Sequence, residues 1–488
     1  MKTLPFSMIL MFFCFFACQN PVDEQVNIEA EVAAIEQNLI PGIIVEGDSM
    51  ITYELEDRMD HYHVPGVSVA VVKNGKIHWA KAYGIANTNT QQPVDTATLF
   101  QAGSISKPLA ALAALKLVQE GKMELDADIN QYLKGWQVPD SRFLANEKVT
   151  LRLLLTHNAG MTVHGFPGYS YNDSFPSIIE VLNGQGNTGV IQVDTMPAAI
   201  WRYSGGGYTV MEKAVEDVSG MSLDEYEAAN ILPAMGMAHS TFSQPLAERF
   251  HSNASAAYRS DGSIIEGLWH NYPEQAAAGL WTTPSDLGRY IIKVQNILAG
   301  TETGPLSKET LEMMLTKHEN DWGLGPALGG EGDSLLFRHG GKNEGFSNNM
   351  VAFAYQGAGV IVMTNADNGV DLMGEIIRGI SDYYDWDISN ARVVKIVEVE
   401  ESVLRSYTGK YLYTESVDDI DDYFVNVSLK DGQLHIDDPN DGENCVLSPT
   451  AADDFLSLES GDRVGFTPSE NAQPITMNWN GFVFNKVE

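Results

Sequence analysis

Two β-rich runs close on one dipeptide near the start of this chain, and they constrain its fold more than any other feature. Gly66-Val-Ser-Val-Ala-Val-Val72 and Lys76-Ile-His-Trp-Ala-Lys-Ala82 flank Asn74-Gly75. Both turn residues need positive φ, which Asn and Gly adopt at least cost, so the spacing predicts a β-hairpin. Further β-rich runs return far downstream, at 335–338, 349–355 and 359–364. Helical patterns fill the interval. Ser104 begins an Ala/Leu-rich stretch with Leu109, Leu112, Leu115 and Leu117, ended by Gly121. Tyr208, Met211, Val215 and Val218 share a face and stop at Gly220. Ser222-Leu-Asp-Glu225 is a capping box, and Thr283-Pro284-Ser-Asp286 opens another helix before Leu287, Tyr290, Ile291, Val294 and Leu298. Shorter helices are expected over 50–59 and 370–384. Strands at both ends of a helical middle predict an α+β fold, one sheet with helices over its faces.

After about Glu400 the texture changes. Phe424-Val-Asn-Val-Ser-Leu429 alternates, Asp431-Gly432 turns, Leu434 and Ile436 alternate again, and Asn480-Gly481 lies between Trp479 and Val483. Short strands at regular intervals predict a small all-β module, sandwich or barrel.

The first residues are set apart from the fold. Lys2 precedes an apolar run over 6–17 that is too short to span a membrane, and Ala17-Cys18 follows. This pattern resembles a bacterial lipoprotein signal, although Phe15 stands where an aliphatic residue is usual. The expectation is a signal peptide at 1–17, lipidation of Cys18 and a polar tether over 18–47; an ordinary cleaved signal or an uncleaved anchor are the alternatives. The chain would then be exported, held at the periplasmic face of a bacterial membrane or at the cell surface. Cys445 would remain the single cysteine beyond Cys14 and Cys18, so an intrachain disulfide in that form is excluded. The predicted body runs over 48–390 and the β module over 400–488. With 488 residues, 44% hydrophobic and 19% charged, the chain can bury a full core without metal or disulfide staples. A formal charge of −35 repels phosphate backbones, which argues against a nucleic-acid partner.

Chemistry concentrates at three places. Ser104-Ile-Ser-Lys107 puts an amine three residues after a hydroxyl, on one helical face. Pro108 fits only if the helix has just begun, so Ser104 sits near a helix N-terminus, where free N–H groups favour developing negative charge. A hydroxyl becomes a nucleophile when a base takes its proton, and a lysine can be that base if burial lowers its pKa. Tyr203-Ser-Gly-Gly-Gly-Tyr208 is a glycine-rich loop before a helix, and Tyr203 can reach into a cleft. His339-Gly340-Gly341 continues a predicted strand, where paired glycines mark a close approach. The bland readings are a helix cap, a flexible turn and a bulge.

In this order the three segments resemble the serine β-lactamase and penicillin-binding-protein superfamily, and most of all its class C β-lactamase-like branch of esterases and D-amino-acid peptidases. Val64-Pro-Gly-Val-Ser-Val-Ala-Val71, Leu153-Leu-Leu-Thr-His-Asn-Ala-Gly160, Met235-Gly-Met-Ala-His-Ser-Thr241 and Ala278-Gly-Leu-Trp-Thr-Thr-Pro-Ser-Asp286 share the likeness. The resemblance implies a β-lactamase/transpeptidase-like fold: an antiparallel sheet flanked by helices, with a helical subdomain. The β module resembles lipocalin-like domains. The resemblance also implies a serine hydrolase of an ester, peptide or β-lactam. Ser104 would be acylated, Lys107 would be the base alone or with Tyr203, and Tyr203 would protonate the leaving group. His339 would hold Tyr203 or a substrate carboxylate, beside Gly340 and Gly341, and the N–H groups of Ser104 and Lys342 would form the oxyanion hole. Two departures weaken the β-lactamase reading: Gly205 stands where the family has Asn, and His339 replaces a lysine. A catalytically silent protein that binds peptidoglycan fragments is the alternative, and a ligand-carrying β module is a third reading.

No Gly-x-Ser-x-Gly, His-Glu-x-x-His or cofactor motif is present, so neither cofactor nor metal is expected. The acidic run 437–443 fails as a calcium loop, because Pro439 and Ser448 occupy ligand positions. The expected partners are a small-molecule or peptide substrate and, through Cys18, a membrane.

Overall fold

The computed structural model describes residues 21–414, 423–439, 444–468 and 474–487. Cys18, the predicted signal segment and part of the 437–443 run lie outside them.

Helices α1 (Pro21–Glu36) and α2 (Leu55–His61) precede the predicted hairpin, which forms strands β1 (Gly66–Lys73) and β2 (Lys76–Asn87). Asn74 and Gly75 carry the positive φ values, 55° and 69°, that the turn requires. A short edge strand β3 (Gln92–Pro93) follows, and the sheet is completed downstream by β4 (Ala327–Gly329), β5 (Leu336–Asn343), β6 (Phe346–Phe353) and β7 (Gly359–Thr364). The order is β3-β2-β1-β7-β6-β5-β4, with every pairing antiparallel.

β1 and β7 lie in the middle of this sheet and bury both faces, which is why they read as continuous apolar runs. Ala70, Val72, Ile361 and Met363 point to one layer with Leu287, Tyr290, Ile291 and Val294 of helix α5 (Pro284–Leu298). Val67, Val69, Val360 and Val362 point to the other, against Leu372, Met373, Ile376 and Ile380 of α6 (Gly369–Tyr384). The first layer continues into the helical middle, built around α3 (Ser106–Gln119) and α4 (Gly205–Ser219).

The structure differs from the sequence reading at the N-terminal side. Instead of a polar tether, the described residues before Gly47 fold back on the sheet: Val32, Ile35 and Leu39 are buried in the second layer. Glu31 accepts from His78 Nε2 and Tyr384 Oη, both at 2.8 Å. Ile43–Val45 pairs in parallel with Arg392–Val394, the link to the β module. The helix expected over 50–59 starts later, because Tyr53 bridges to Leu39 in extended form. The module is a closed eight-stranded barrel running from Gly409–Tyr413 to Phe482–Lys486, each strand pairing with the next and the last with the first. Its interior is filled by side chains: Tyr407 stacks on Phe466 with centroids 4.4 Å apart, and Tyr411, Leu447, Phe455, Met477 and buried Cys445 pack around them.

Candidate active site

Gly103–Ile105 forms a tight 3-10 turn that runs into α3. From Gln101 to Leu115 every residue is buried except Ser104, whose hydroxyl stands at the mouth of a cavity of about 490 Å³. Ser106 pins the turn from behind: its hydroxyl donates to Gly103 O at 2.6 Å and accepts from Leu280 N–H at 3.0 Å. The Ser104 N–H precedes the first bond of the turn, from Ile105 N to Ala102 O, so it is one of the free donors of a helix start.

Lys107 occupies the second residue of α3 and is only 2% exposed. Its Nζ lies 3.0 Å from Ser104 Oγ and donates to Ala277 O at 2.9 Å. Among the described residues no carboxylate pairs with it. Burial alone pulls its pKa down to about 7, because a charged ammonium loses its hydration there. The Ala277 carbonyl is itself held: it sits on the short helix Gln275–Ala278, whose Ala276 N–H donates to buried Glu212 of α4 at 2.7 Å.

Tyr203 ends the loop before α4, and its ring lies 4.9 Å from Lys107 Nζ. Burial raises its pKa, and a hydrogen bond with Ser104 offsets that only in part, so the phenol keeps its proton. The imidazole of His157 packs against it. His157 Nδ1 accepts from Ser204 N–H at 3.1 Å, so Nε2 carries the ring proton, buried and unpartnered. His339 has the opposite tautomer. Its Nδ1 faces Gly340 O at 2.5 Å and must donate, which leaves Nε2 as a buried acceptor. Burial and the neighbouring Lys107 push its pKa down to about 3, so His339 is neutral in ordinary solution.

β5 supplies the opposite wall. β4 pairs only with its first residues, up to Arg338, so from His339 to Asn343 one edge of β5 lies open. The hairpin to β6 has a two-residue loop, Glu344-Gly345, closed by Asn343 and Phe346. The closing pair exchanges hydrogen bonds, so the next pair, Lys342 with Ser347, is of the other kind and points its N–H groups outward. The Lys342 N–H therefore faces the gap that holds Ser104. Glycines permit the approach: a Cβ on Gly103 would lie 2.5 Å from Lys342 N, and one on Gly341 only 1.8 Å from Ala102 O. The Lys342 side chain turns away, donating to Asp367 O at 2.8 Å.

Ser104, Lys107, Tyr203, His339, Gly340, Gly341 and Lys342 thus line one cavity, while Cys18 lies outside the described residues. The sequence reading gave no role to Ser106, His157 or Glu212. Ser106 is visible inside its motif, but one of its two partners, Leu280, lies far along the chain. His157 lies in the Leu153–Gly160 segment that shares the family likeness, but nothing in that segment points to Tyr203 or Ser204. Gly205 has its family asparagine's place filled from another loop: a Cβ there would lie 2.9 Å from the Phe166 ring and 3.1 Å from His164 O.

The family model described as Beta-lactamase matches residues 54–383. Among curated proteins, Protein flp of Staphylococcus aureus (strain MRSA252) is 23% identical over 374 residues, covering 75% of this chain and 69% of that protein. A putative D-alanyl-D-alanine carboxypeptidase of Escherichia coli (strain K12) is 27% identical over 305 residues, covering 54% of this chain and 68% of that protein. Among solved structures, the octameric penicillin-binding protein homologue from Pyrococcus abyssi aligns with a TM-score of 0.59 at 20% identity, covering 88% of this chain and 98% of that one. That likeness is one of fold.

Proposed function

The chain belongs to the β-lactamase family, whose members are serine hydrolases, and from that premise we propose that it cleaves an ester or amide through an acyl-enzyme on Ser104. The observation that carries this reading is the Lys107 amine, buried, 3.0 Å from Ser104 Oγ and with a pKa of about 7. Near neutrality a large share of Lys107 is unprotonated. It takes the Ser104 proton as Oγ attacks the carbonyl carbon, and the N–H groups of Ser104 and Lys342 receive the oxyanion. The leaving group departs with a proton from the Tyr203 phenol, which Lys107 replenishes. A water then attacks the acyl carbon, giving its proton to the Lys107 amine, which passes it to Ser104 Oγ as the acyl–oxygen bond breaks and the acid product leaves. Tyr203 acts as a donor in this scheme and not as a phenolate base, since burial keeps it protonated. His339, its ring 6.2 Å from that of Tyr203, is neutral and has no charge with which to bind a carboxylate.

The same features favour a substrate without a carboxylate beside the scissile bond, hence an ester or internal amide over a β-lactam. Apart from histidines, the basic side chains lining the cavity are Lys107, neutralised by burial, and Lys342, tied to Asp367. Gly205 supplies no side-chain amide. Export and a lipid anchor on Cys18 belong to this proposal, supported by the apolar run before that residue. The test is labelling with a fluorophosphonate, followed by turnover of a p-nitrophenyl ester, a cephalosporin and a peptidoglycan stem peptide. The reading expects labelling that Ser104→Ala abolishes, with ester turnover well above cephalosporin turnover. Labelling that survives the substitution would place the nucleophile elsewhere.

A further inference from the structure

A second cavity, of about 640 Å³, lies between the folded-back N-terminal segment, α2, α6 and the barrel turn at 458–461. Val370, in the first turn of α6, lines both this cavity and the catalytic one. A cavity of this size is in the range that holds small ligands.

Its charged groups are arranged unevenly. Arg58 and Glu375 satisfy each other: Glu375 accepts from Arg58 Nε at 2.8 Å, from Arg58 Nη2 at 2.7 Å and from Tyr62 Oη at 3.0 Å. Arg378 has no such partner. Its Nε donates to Ile40 O at 2.9 Å, and among the described residues no carboxylate pairs with its terminal nitrogens. The guanidinium is held in a slot between two glycines. A Cβ on Gly374 would come within 3.0 Å of Nη1, and one on Gly42 within 3.6 Å of Nη2. Arg392, on the link to the barrel, also lines the cavity without an acidic partner among the described residues. In a chain with 65 acidic and 30 basic side chains, two unpaired guanidiniums facing one cavity run against composition. Burial holds Arg378 below its usual pKa although the charges of Glu375 and Asp371 favour its protonated form, so an anion bound directly to it would be welcome. The cavity has acids as well. Asp371 makes no ion pair among the described residues, and Glu459 of the barrel turn meets only His61, at 3.2 Å. Burial and the charges of Glu375 and Glu459 raise the Asp371 pKa more than Arg378 and Arg58 lower it, so a further cation beside Asp371 and Glu459 would be welcome there.

We propose that this cavity is a second binding site, for a small zwitterion such as a free amino acid or short peptide. The ligand carboxylate lies on Arg378 and Arg392, whose planar guanidiniums donate to both of its oxygens, and its ammonium faces Asp371 and Glu459. The barrel closes the site with its 458–461 turn, so a bound ligand ties barrel to α6 and, through Val370, to the rim of the catalytic cavity. This inference does not depend on the hydrolase reading.

Calorimetry with glycylglycine tests it, on full-length protein carrying Ser104→Ala so that turnover contributes no heat, with the substitutions below telling this cavity from the catalytic one. The expected result is one binding event per chain, weakened about tenfold or more by Arg378→Gln. Acetate and methylamine, each carrying half of the charge pattern, should bind far more weakly. If Arg378→Gln alters the unfolding transition, Asp371→Asn replaces it and should also weaken glycylglycine. Absence of binding at millimolar dipeptide, or binding that both substitutions leave unchanged, would overturn the proposal.

Discussion

The imidazole of His157 lies against the phenol of Tyr203, ring centroids 4.2 Å apart and planes 33° from parallel, while its Nδ1 accepts from the next residue's N–H. One side chain therefore fixes both the ring and the backbone of the proposed proton donor. His157 itself has φ of 61°, a left-handed conformation that Asn adopts readily and β-branched residues do not.

That geometry separates two substitutions. His157→Leu leaves the buried Ser204 N–H without an acceptor, an omission worth about 1–3 kcal/mol. It should lower kcat for a p-nitrophenyl ester by about one to two orders of magnitude with little change in KM. His157→Asn keeps an acceptor and tolerates the backbone, so it should recover part of the loss. Steady-state kinetics on the two variants check this. Equal losses would mean that the ring contact, and not the hydrogen bond, positions Tyr203.

Restoring the family asparagine should fail alone. A Cβ at position 205 meets the Phe166 ring at 2.9 Å and His164 O at 3.1 Å. Gly205→Asn should destabilise by about 1–3 kcal/mol, the usual cost of overpacking. Phe166→Ala should relieve much of that in the double variant, and chemical denaturation of the four proteins gives the coupling.

Gly341→Ala tests the close approach of β5 to the Ser104 turn. Its Cβ would lie 1.8 Å from Ala102 O, a collision of backbone with side chain that no rotamer relieves. Strand and turn must separate, taking the Lys342 N–H away from Ser104. The loss of one oxyanion donor costs about 10²–10³ in kcat. Gly340→Ala is the control: its nearest neighbour is Asn348 O at 3.9 Å, so it should retain most activity.

The lysine that makes the site reactive should also make it unstable. Its pKa falls from 10.5 unfolded to about 7 folded. Between these values the unfolded chain binds more protons, so stability rises with pH across that window; below about 7 the full burial cost applies. The gap corresponds to roughly 5 kcal/mol. Lys107→Met removes that cost but strands the Ala277 carbonyl. The net expectation is a gain of about 2 kcal/mol near pH 6.5, shrinking toward pH 10, alongside loss of activity. Thermal unfolding at the two pH values reads it directly.

Much of this architecture is legible in the sequence because it rests on local signals. The Asn74-Gly75 hairpin, the Ser222–Glu225 capping box and the Pro284 helix start each need only a few adjacent residues, and all three form as expected. The Ser104–Lys107 spacing is equally local. What escapes is set by distant contacts. The stretch before Gly47 reads as a tether because acids dominate it; its buried face is only Val32, Ile35, Leu39 and Ile40, and its anchor is Glu31 reaching His78 and Tyr384. His157 escapes for the same reason: its partners, Tyr203 and Ser204, stand on a loop more than forty residues away. The barrel is legible as alternating strands, but whether they close is decided by Tyr411 pairing with Lys486, which no local pattern announces.

The central claim is that a neutral Lys107 activates Ser104, and the pH dependence of Ser104 labelling by a fluorophosphonate under single-turnover conditions tests it most directly. The rate should climb with pH through an apparent pKa of about 7 and then hold level into the alkaline range, and Lys107→Met should label at a small fraction of that rate at every pH. A rate that is flat across neutrality, or that Lys107→Met leaves intact, would contradict the account.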